Sequence, residues 1–295
     1  MRIAALDIGG TSIKSGLWEN GSLTGLKEQD TRAKEGGAAL IARAAAILEE
    51  YLPFDAIGIS TAGQVDTKQG RIYYANDNIP GYTGTEVRRL LKERFHVPVS
   101  VENDVNAAAL GEAHFGAARD CSDFLCLTYG TGVGGAIVLG GSVYTGSTWS
   151  AGSFGGIVTH PEDLKAGEEY SGCYEKYASA TGLVKLAQEL DPELKNGRIL
   201  FERIEQPQVR QVIDRWIGEI LIGLVTLIHS FNPARIVLGG GVMEQPYVME
   251  QIRKRLYPML SPGFRSVEVL RAGLGNQAGL YGAVYQAQTL LKTES

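Results

Sequence analysis

Two stretches of this sequence resemble each other and decide the fold that we expect. LDIGGTSIKSGLWENGS begins at Leu6, and LTYGTGVGGAIVLGGS begins at Leu127. Each is typical of a β-strand, a glycine turn, a second strand and a tight hairpin, and the copies lie 121 residues apart at the turn and 120 at the hairpin. We interpret them as one internal duplication, although short glycine-rich strings can also match by chance. Two such lobes would form a cleft between their glycine turns.

Outside these stretches, the apolar pattern alternates between strand and helix. The runs typical of buried strands are DAIGIS, VPVSVE and ARIVLGGG, and those typical of helices include VRRLLKERF and NAAALGEAHFG. The longest helix is predicted around residues 209–228, where apolar side chains recur at three- and four-residue steps. This alternation predicts the α/β class. We divide the chain into an N-terminal lobe, residues 1–117 with a C-terminal helix at 277–292, and a C-terminal lobe, residues 118–276.

Composition excludes several classes of protein. The chain has 295 residues, of which 44% are hydrophobic, so it is not disordered. Its 38 glycines do not recur every third residue, so it is not collagen-like. A net charge of −5 argues against nonspecific binding to nucleic acid, which needs a basic surface. Backbone N–H groups can nevertheless hold phosphate without a positive net charge.

The cysteines and the apolar stretches indicate the cellular compartment of the protein. Three scattered cysteines are typical of a reducing compartment rather than of a disulfide framework. The N-terminus carries an early acid, Asp7, and no long apolar run, so we expect no signal peptide. The run from Phe124 to Thr159 lacks charged residues, but its Gly, Ser and Thr favour a buried sheet over a membrane span. We expect a cytoplasmic protein that binds neither nucleic acid nor membrane.

The first candidate for chemistry is DIGGTSIK, residues 7–14. Its glycines would let backbone N–H groups approach phosphate oxygens, and Thr11 and Lys14 would add donors. Asp7 would hold Mg²⁺ directly or through water. The same residues also fit a plain β-hairpin bend. The second glycine turn, Gly130 to Gly135, is similar and lacks the Lys-Ser/Thr ending of a Walker A loop.

The third candidate is ENDVN, residues 102–106, where a strand passes into a helix. This edge is a usual ligand site in α/β folds. Asp104 suits a general base that takes a proton from a hydroxyl, and Asn103 would fix that hydroxyl by hydrogen bonding. The alternative is that these residues only cap the helix, a position in which Asn and Asp are favoured.

Taken together, these motifs resemble the ROK family (repressor, open reading frame, kinase) over essentially the whole chain. DIGGTSIK and LTYGTGVGGAIV look like its two phosphate motifs, and ENDVNAAALGE looks like its catalytic motif. STAGQVD, residues 60–66, resembles its S-x-P-G-x-V-D segment, with Ala62 where Pro is usual. NDNIPGY resembles its N-L-P-G-W stretch, and IVLGGGV its adenosine-side strand. The resemblance implies the actin/hexokinase-like ATPase fold, an α/β fold with duplicated ribonuclease H-like lobes and an interlobe cleft.

The resemblance also implies an activity and a set of site residues. The protein would be an ATP-dependent sugar kinase that phosphorylates a hexose or hexoside at O6, with Asp104 as the base. Asp7 would organise Mg²⁺, and a homodimer is the family expectation. The implied sugar ligands are Gly63, Asn103, Asp104 and Glu175. The implied ATP and phosphate ligands are Asp7, Gly9, Gly10, Thr11, Lys14, Gly130, Thr131, Gly132, Gly134, Gly239 and Gly240.

Two departures from the family pattern affect the sugar and metal sites. The family usually carries E-x-G-H, with the Glu and His touching the sugar, whereas residues 153–156 are Ser-Phe-Gly-Gly. Of the family's cysteine-rich zinc segment only Gly-Cys-Tyr-Glu at 172–175 is left, so we predict no structural zinc, and His160 is only a weak candidate for a substitute ligand. Loss of the Glu and His would open room for an aglycone, which makes a β-glucoside kinase a hypothesis.

The sequence leaves open which sugar is the substrate and whether the protein is catalytic. Glucose, a β-glucoside, N-acetylmannosamine, allose and fructose are all possible sugars. A sugar-binding protein that has lost catalysis would also account for the missing Glu and His. A transcriptional repressor of the same family is disfavoured, because its helix-turn-helix module precedes the phosphate motif, which starts here at residue 7.

Overall fold

A computed structural model describes residues 1–294, which form two compact units. The first unit contains Met1–Asp120, Val143–Ala151 and the residues from Asn276 on. The second unit contains Cys121–Ser142 and Gly152–Gly275. The segment Val143–Ala151, which the sequence pattern assigns to the C-terminal lobe, therefore belongs to the first unit, where Trp149 packs against Tyr73.

The elements are named here in chain order. The strands are β1 (Ile3–Ile8), β2 (Ser12–Glu19), β3 (Ser22–Asp30), β4 (Ala56–Thr61), β5 (Gln64–Asp66), β6 (Arg71–Tyr74), β7 (Val99–Asn103), β8 (Phe124–Tyr129), β9 (Val133–Leu139), β10 (Ser142–Val143), β11 (Arg235–Gly239) and β12 (Glu268–Arg271). The helices are α1 (Gly37–Glu49), α2 (Val87–Phe95), α3 (Asp104–Phe115), α4 (Tyr174–Ala178), α5 (Ala180–Gln188), α6 (Gly197–Glu202), α7 (Pro207–Phe231), α8 (Pro246–Met259) and α9 (Ala278–Glu294).

Two five-stranded sheets share one topology. The first has the order β3-β2-β1-β4-β7, and the second has the order β10-β9-β8-β11-β12. In each sheet a central strand, β1 or β8, pairs antiparallel with the strand that follows it and parallel with a later one, β4 or β11. The repeated sheet agrees with the interpretation of the sequence as a duplication.

The predicted hairpins are confirmed at both repeats. Asn20 and Gly21 have φ values of 51° and 83°, and Gly140 and Gly141 have φ values of 56° and 76°. Two successive residues with positive φ are typical of the type I′ turn that joins twisted antiparallel strands. The strand after the second hairpin, β10, is short: it ends at Val143, and the chain turns at Gly146, whose φ is 70°.

The long predicted helix is α7, which begins with Pro207 at its first turn and ends at Asn232 in the left-handed conformation. Its apolar stripe is buried, with Ile213, Trp216 and Ile220 fully inaccessible. The sequence pattern does not predict α4, α5, α6 or α8, which are shorter or lack a clean apolar period. No helix among residues 1–294 is both long enough and apolar enough to span a membrane.

The first unit is closed on one side by a close pair of helices, α3 and α9. A Cβ added to Gly111 or to Gly282 would collide with backbone carbonyls of the opposite helix. Small residues at these positions therefore let the two helix backbones approach each other. This contact fixes α3, whose first residue is Asp104, relative to the sheet beneath it.

Candidate active site

Asp7 is the centre of a polar cluster created by strand register. Lys14 of β2 and Ser60 of β4 lie directly opposite Asp7 on its two neighbouring strands. The hydroxyl of Ser60 donates a 2.6 Å hydrogen bond to Oδ1 of Asp7, and Nζ of Lys14 lies 3.7 Å from Oδ2. Burial raises the pKa of Asp7 above its ordinary value, whereas Ser60 and Lys14 oppose that rise.

The first glycine turn follows Asp7 and is held by Ser12 of β2 and by Thr31, the residue after β3. The N–H of Gly9 donates to the carbonyl of Ser12, and the hydroxyl of Thr31 donates a 2.7 Å bond to the carbonyl of Gly9. Gly10 and Thr11 are exposed, and a Cβ added to Gly10 would meet no atom within 4 Å. The turn therefore leaves open space beside its backbone, as the phosphate-binding prediction requires.

The motif at residues 102–106 joins β7 to α3, and its two interpretations are compatible. Asn103 is the N-cap of α3, since its Oδ1 accepts from the N–H groups of Val105 and Asn106 at 3.0 and 3.1 Å. Its Nδ2 also donates to the carbonyl of Gly63 at 2.9 Å and to Oδ1 of Asp104 at 2.8 Å. The cap therefore orients Asp104 as well as ending the helix.

Asp104, the first residue of α3, has a pKa well above its ordinary value. Burial raises its pKa to about 6, and the charge of Asp7 adds to the rise, while hydrogen bonds from Val105 and Asn103 oppose it. A carboxylate with this pKa is a better proton acceptor than an ordinary aspartate and is still ionised at neutral pH. The arrangement therefore suits a general base.

Glu102 is a supporting residue that the motif alone does not identify. Its Oε1 accepts from the N–H of Asn103 at 2.9 Å and from Nδ2 of Asn106 at 3.2 Å, and its Oε2 accepts from Nε2 of Gln286 at 2.8 Å. Burial raises the pKa of Glu102, and these hydrogen bonds oppose the rise. Glu102 therefore ties the cap residue to α9.

The second glycine turn lies in the second unit and is braced from α4 and α5. The carbonyl of Gly130 accepts from the N–H of Ala180 at 2.9 Å, and the carbonyl of Thr131 accepts from the hydroxyl of Thr181 at 2.8 Å. These contacts occupy carbonyl groups of the turn. The exposed face of the turn, which includes Gly130 and Thr131, is therefore the one that can meet a ligand.

Glu175 of α4 lies against the same turn. Its Oε2 accepts a 2.9 Å hydrogen bond from the N–H of Val133, and a Cβ added to Gly132 would collide with its carboxylate. A side chain at position 132 would therefore push this carboxylate away from the N–H of Val133. The sugar contact predicted for Glu175 stays a prediction, and the structure shows in addition that Glu175 positions the turn.

A cavity of about 500 Å³ opens beside the second turn. Its lining combines apolar residues, among them Phe201 and Val242, with the polar side chains of Arg198, Glu202 and Gln245. Tyr129, Gly130 and Gly241 also line it, so it is continuous with the turn. Gly239 and Gly240 immediately precede Gly241. Gly240 has a φ of 101°, and a Cβ there would collide with the carbonyl of Tyr129.

The segment around residues 153–175 is held by contacts within the protein. The thiol of Cys173 donates to the carbonyl of Gly156 at 3.2 Å. His160 stacks on the ring of Tyr177 at 3.7 Å, and its Nε2 lies 3.4 Å from a carboxylate oxygen of Glu219. Within residues 1–294 no group of three or more His, Cys, Asp or Glu side chains is arranged to hold a metal ion.

The residues around Asp7 nevertheless suit Mg²⁺. This ion keeps several waters and is usually held by one or two carboxylates together with substrate phosphates, not by a protein cage. Asp7 offers a single carboxylate at the start of an open glycine turn, which is the donor set that such an ion requires. These residues therefore suit a Mg²⁺ ion that is already bound to the phosphates of a nucleotide.

Comparisons with known proteins identify the class to which this arrangement belongs. The chain is 33% identical to the β-glucoside kinase of Listeria innocua over 293 residues, which cover 97% of each protein. It superposes on the ROK hexokinase of Thermus thermophilus with a TM-score of 0.84 and 33% identity, covering 99% of this chain and all of that one. A ROK family glucokinase from Streptomyces griseus, solved with glucose and AMPPNP, gives a TM-score of 0.85, 30% identity and coverage of 98% and 100%.

These similarities confirm the predicted fold, the actin/hexokinase-like ATPase fold of sugar kinases with two repeated α/β sheets. The family is equally clear, because the ROK family pattern matches residues 3–290. The chain belongs to the ROK family.

Proposed function

We propose that this protein is an ATP-dependent kinase that phosphorylates O6 of a hexose or hexoside. The observation that carries the proposal is the geometry of Asp104, a carboxylate with a pKa near 6 that Asn103 and the N-terminus of α3 hold in one orientation. The glucokinase and the β-glucoside kinase named above support it. Among hexosides we favour β-glucosides, because Ser153 and Gly156 replace the larger Glu and His of other family members.

In the proposed reaction Asp104 accepts the proton of the O6 hydroxyl. The oxygen then forms a bond to the γ-phosphorus of ATP, and the bond between that phosphorus and the bridging oxygen breaks to release ADP. Phosphoryl transfer depends on positioning and on neutralising charge more than on covalent catalysis. Asn103 and the backbone of Gly63, which share a hydrogen bond, bind the sugar, and Glu175 completes this set of ligands.

For the nucleotide we propose that the two glycine turns bind its phosphates through backbone N–H groups. The first turn contributes Gly9, Gly10, Thr11 and Lys14, and the second contributes Gly130, Thr131, Gly132 and Gly134. The cavity of the second unit is of a size and polarity that suit the adenosine group, beside Gly239 and Gly240. Its Arg198, Glu202 and Gln245 supply hydrogen-bonding groups that no sequence motif marks.

Asp7 is proposed to organise Mg²⁺ through water, with Ser60 and Lys14 fixing its carboxylate. When bound, Mg²⁺ supplies neutralisation of the charge on the β- and γ-phosphate oxygens. We further propose that the enzyme is cytoplasmic, works as a homodimer and carries no structural zinc. The homodimer rests on the family resemblance alone.

A coupled ADP-release assay over a panel of sugars tests the proposal. The panel should include glucose, β-glucosides, N-acetylmannosamine, allose and fructose, because a kinase of another hexose is the alternative within this class. The wild-type protein should show turnover that depends on one sugar. A family member that only binds sugar would show affinity by calorimetry without turnover.

Asp104→Asn is the matched catalytic variant. An asparagine can still accept the hydrogen bonds from Asn103 and Val105, but it cannot take a proton, so kcat should fall by about 10²- to 10⁴-fold. The control is Asp55→Asn, which replaces an exposed aspartate whose carboxylate lies 3.8 Å from the N-terminal amino group. This substitution should leave kcat unchanged. Full activity of Asp104→Asn would refute the mechanism.

A further inference from the structure

The first unit contains a pair of aromatic rings, one of which comes from β6, the strand next to Gly63. Tyr73 of β6 packs against Trp149 of the segment Val143–Ala151, with ring centroids 5.1 Å apart and planes inclined at 51°. Tyr73 is 41% exposed, and its neighbour Tyr74 is 48% exposed. Exposed aromatic groups of this kind mark ligand sites more often than chance, because burying them is favourable.

Tyr73 and Trp149 both lie where the backbone departs from regular geometry. β5 and β6 pair through Gln64 with Tyr74 and through Val65 with Ile72, so Tyr73 is the extra residue of a β-bulge. Trp149 has a φ of 55°, a left-handed conformation that is unfavourable for a bulky side chain. Bulges re-aim side chains, and strained residues cluster at functional sites.

The strand that carries Tyr73 runs beside Gly63, one of the proposed sugar ligands. The carbonyl of Gly63 accepts from Nδ2 of Asn103, and a Cβ added to Gly63 would lie 2.9 Å from the carbonyl of Tyr74. Gly63 immediately precedes β5, whose first residue pairs with Tyr74. Tyr73 therefore stands about one strand spacing, roughly 5 Å, from the backbone that is proposed to hold the acceptor ring.

We propose that Trp149 and Tyr73 form a second subsite that binds the aglycone ring of a glycoside. The inference rests on the proposed kinase function and specifies its substrate class as a glucoside whose aglycone is itself a ring, either a second sugar or an aryl group. Both kinds of ring offer an apolar face that packs on an aromatic side chain. A methyl aglycone is too small to reach such a subsite.

The kinetic test compares glucose, methyl β-glucoside, phenyl β-glucoside and cellobiose. For the wild-type enzyme the KM of phenyl β-glucoside and of cellobiose should be about 3- to 10-fold below that of methyl β-glucoside, as expected for one stacked ring. Trp149→Ala should abolish this difference in KM, while the KM values for glucose and methyl β-glucoside should stay within about twofold of the wild-type values. Trp149→Phe should retain most of the difference. Tyr144→Ala is the matched control: it removes an exposed aromatic side chain of the same segment that is not part of the Trp149–Tyr73 pair, and it should change none of the four KM values.

Fluorescence gives a readout that does not need turnover. The chain has three tryptophans, of which Trp18 is 7% exposed and Trp216 is fully buried, so a ligand-induced change in emission reports Trp149. Cellobiose should change the emission of the wild-type protein, glucose should not, and Trp149→Phe should abolish the change.

Several outcomes would overturn the subsite. One is that the wild-type enzyme has equal KM values for methyl and phenyl β-glucoside. A second is that Trp149→Ala changes the KM for glucose as much as the KM for cellobiose. A third is that cellobiose does not change the tryptophan emission. If the wild-type protein phosphorylates no sugar at all, the proposed kinase function fails, and the fluorescence titration still decides whether the ring-binding subsite exists. Activity on glucose without preference for any glucoside would overturn the subsite and leave the kinase function standing.

Discussion

At the scale of single residues, the pKa of Asp104, the proposed base, sets the pH dependence that we expect. Burial and the charge of Asp7 raise its pKa to about 6, and the cap residue Asn103 still holds it by a hydrogen bond. Below this pKa the carboxyl is protonated and cannot accept a proton from the sugar. The activity should therefore be present above pH 6 and be lost as the pH falls through 6.

This prediction is checked by the pH dependence of kcat/KM, which reports groups of the free enzyme. We expect a tenfold loss for each pH unit below about 6, with stability monitored separately by circular dichroism. A profile that stays flat to pH 5 in the folded protein would show that Asp104 is not the base.

Ser60 is the residue that positions Asp7, and its replacement gives a second prediction. Ser60→Ala removes a charge-assisted hydrogen bond from a buried carboxylate, so the KM for MgATP should rise about tenfold and more Mg²⁺ should be needed for half-maximal rate. Ser100→Ala is the matched control, because Ser100 is also buried in this sheet but donates to the backbone carbonyl of Ile57. Equal effects of the two variants on MgATP would argue against a positioning role.

Residues differ in how far the sequence reveals them. Asn103 and Asp104 could be predicted because their motif is local and ends a strand. Ser60 could not be paired with Asp7, since the two are 53 positions apart and meet only through strand register. Glu102 was equally hidden, because its partner Gln286 comes from the last helix.

At the scale of elements, the second glycine turn depends on α4 for its shape. Gly132→Ala should place a Cβ against the carboxylate of Glu175 and displace either the turn or α4. Overpacking of this kind costs about 1–3 kcal/mol, so we expect the KM for ATP to rise roughly tenfold while the KM for the sugar changes less.

The measurement is initial-rate kinetics with each substrate varied in turn. Gly263→Ala is the matched control, since a Cβ added there meets no atom within 4 Å. A larger effect of Gly132→Ala on the sugar than on ATP would instead favour the sugar contact predicted for Glu175.

Elements also differ in how well their sequences predicted them. The two repeated hairpins and α7 could be predicted, because turn residues and a long apolar period are local signals. Only part of the cavity could be predicted, because IVLGGGV contains Gly241 and Val242, whereas the lining residues of α6 and Gln245 carry no motif. Its residues meet only once the second unit has folded.

At the scale of the whole molecule, the contacts of residues 157–173 lead to a prediction about metal. This segment is held by a β-bridge between Val158 and Cys173 and by hydrogen bonds from the N–H groups of Thr159 and His160 to the carbonyl of Gly172. The ring of His160 also lies 3.4 Å from a carboxylate oxygen of Glu219. Since one cysteine cannot complete a four-ligand zinc site, we expect folding to need no metal.

Thermal unfolding with and without a strong chelator checks this expectation. The Tm in the absence of nucleotide should be unchanged by the chelator, and metal analysis of the purified protein should find far less than one zinc per chain. A stoichiometric zinc whose removal lowers the Tm would contradict it.

The close approach of α9 to β1 also has a consequence for how the protein is made. Leu280, Ala283 and Val284 of α9 bury Ile3 and Ala5 of β1, and a Cβ on Gly279 would lie 2.6 Å from the Asp7 carboxylate. Because a ribosome releases β1 well before α9, the apolar surface of β1 that α9 covers stays exposed until α9 has been made. We therefore expect chaperones that shield apolar strands to act on this surface while the elements between β1 and α9 are synthesised.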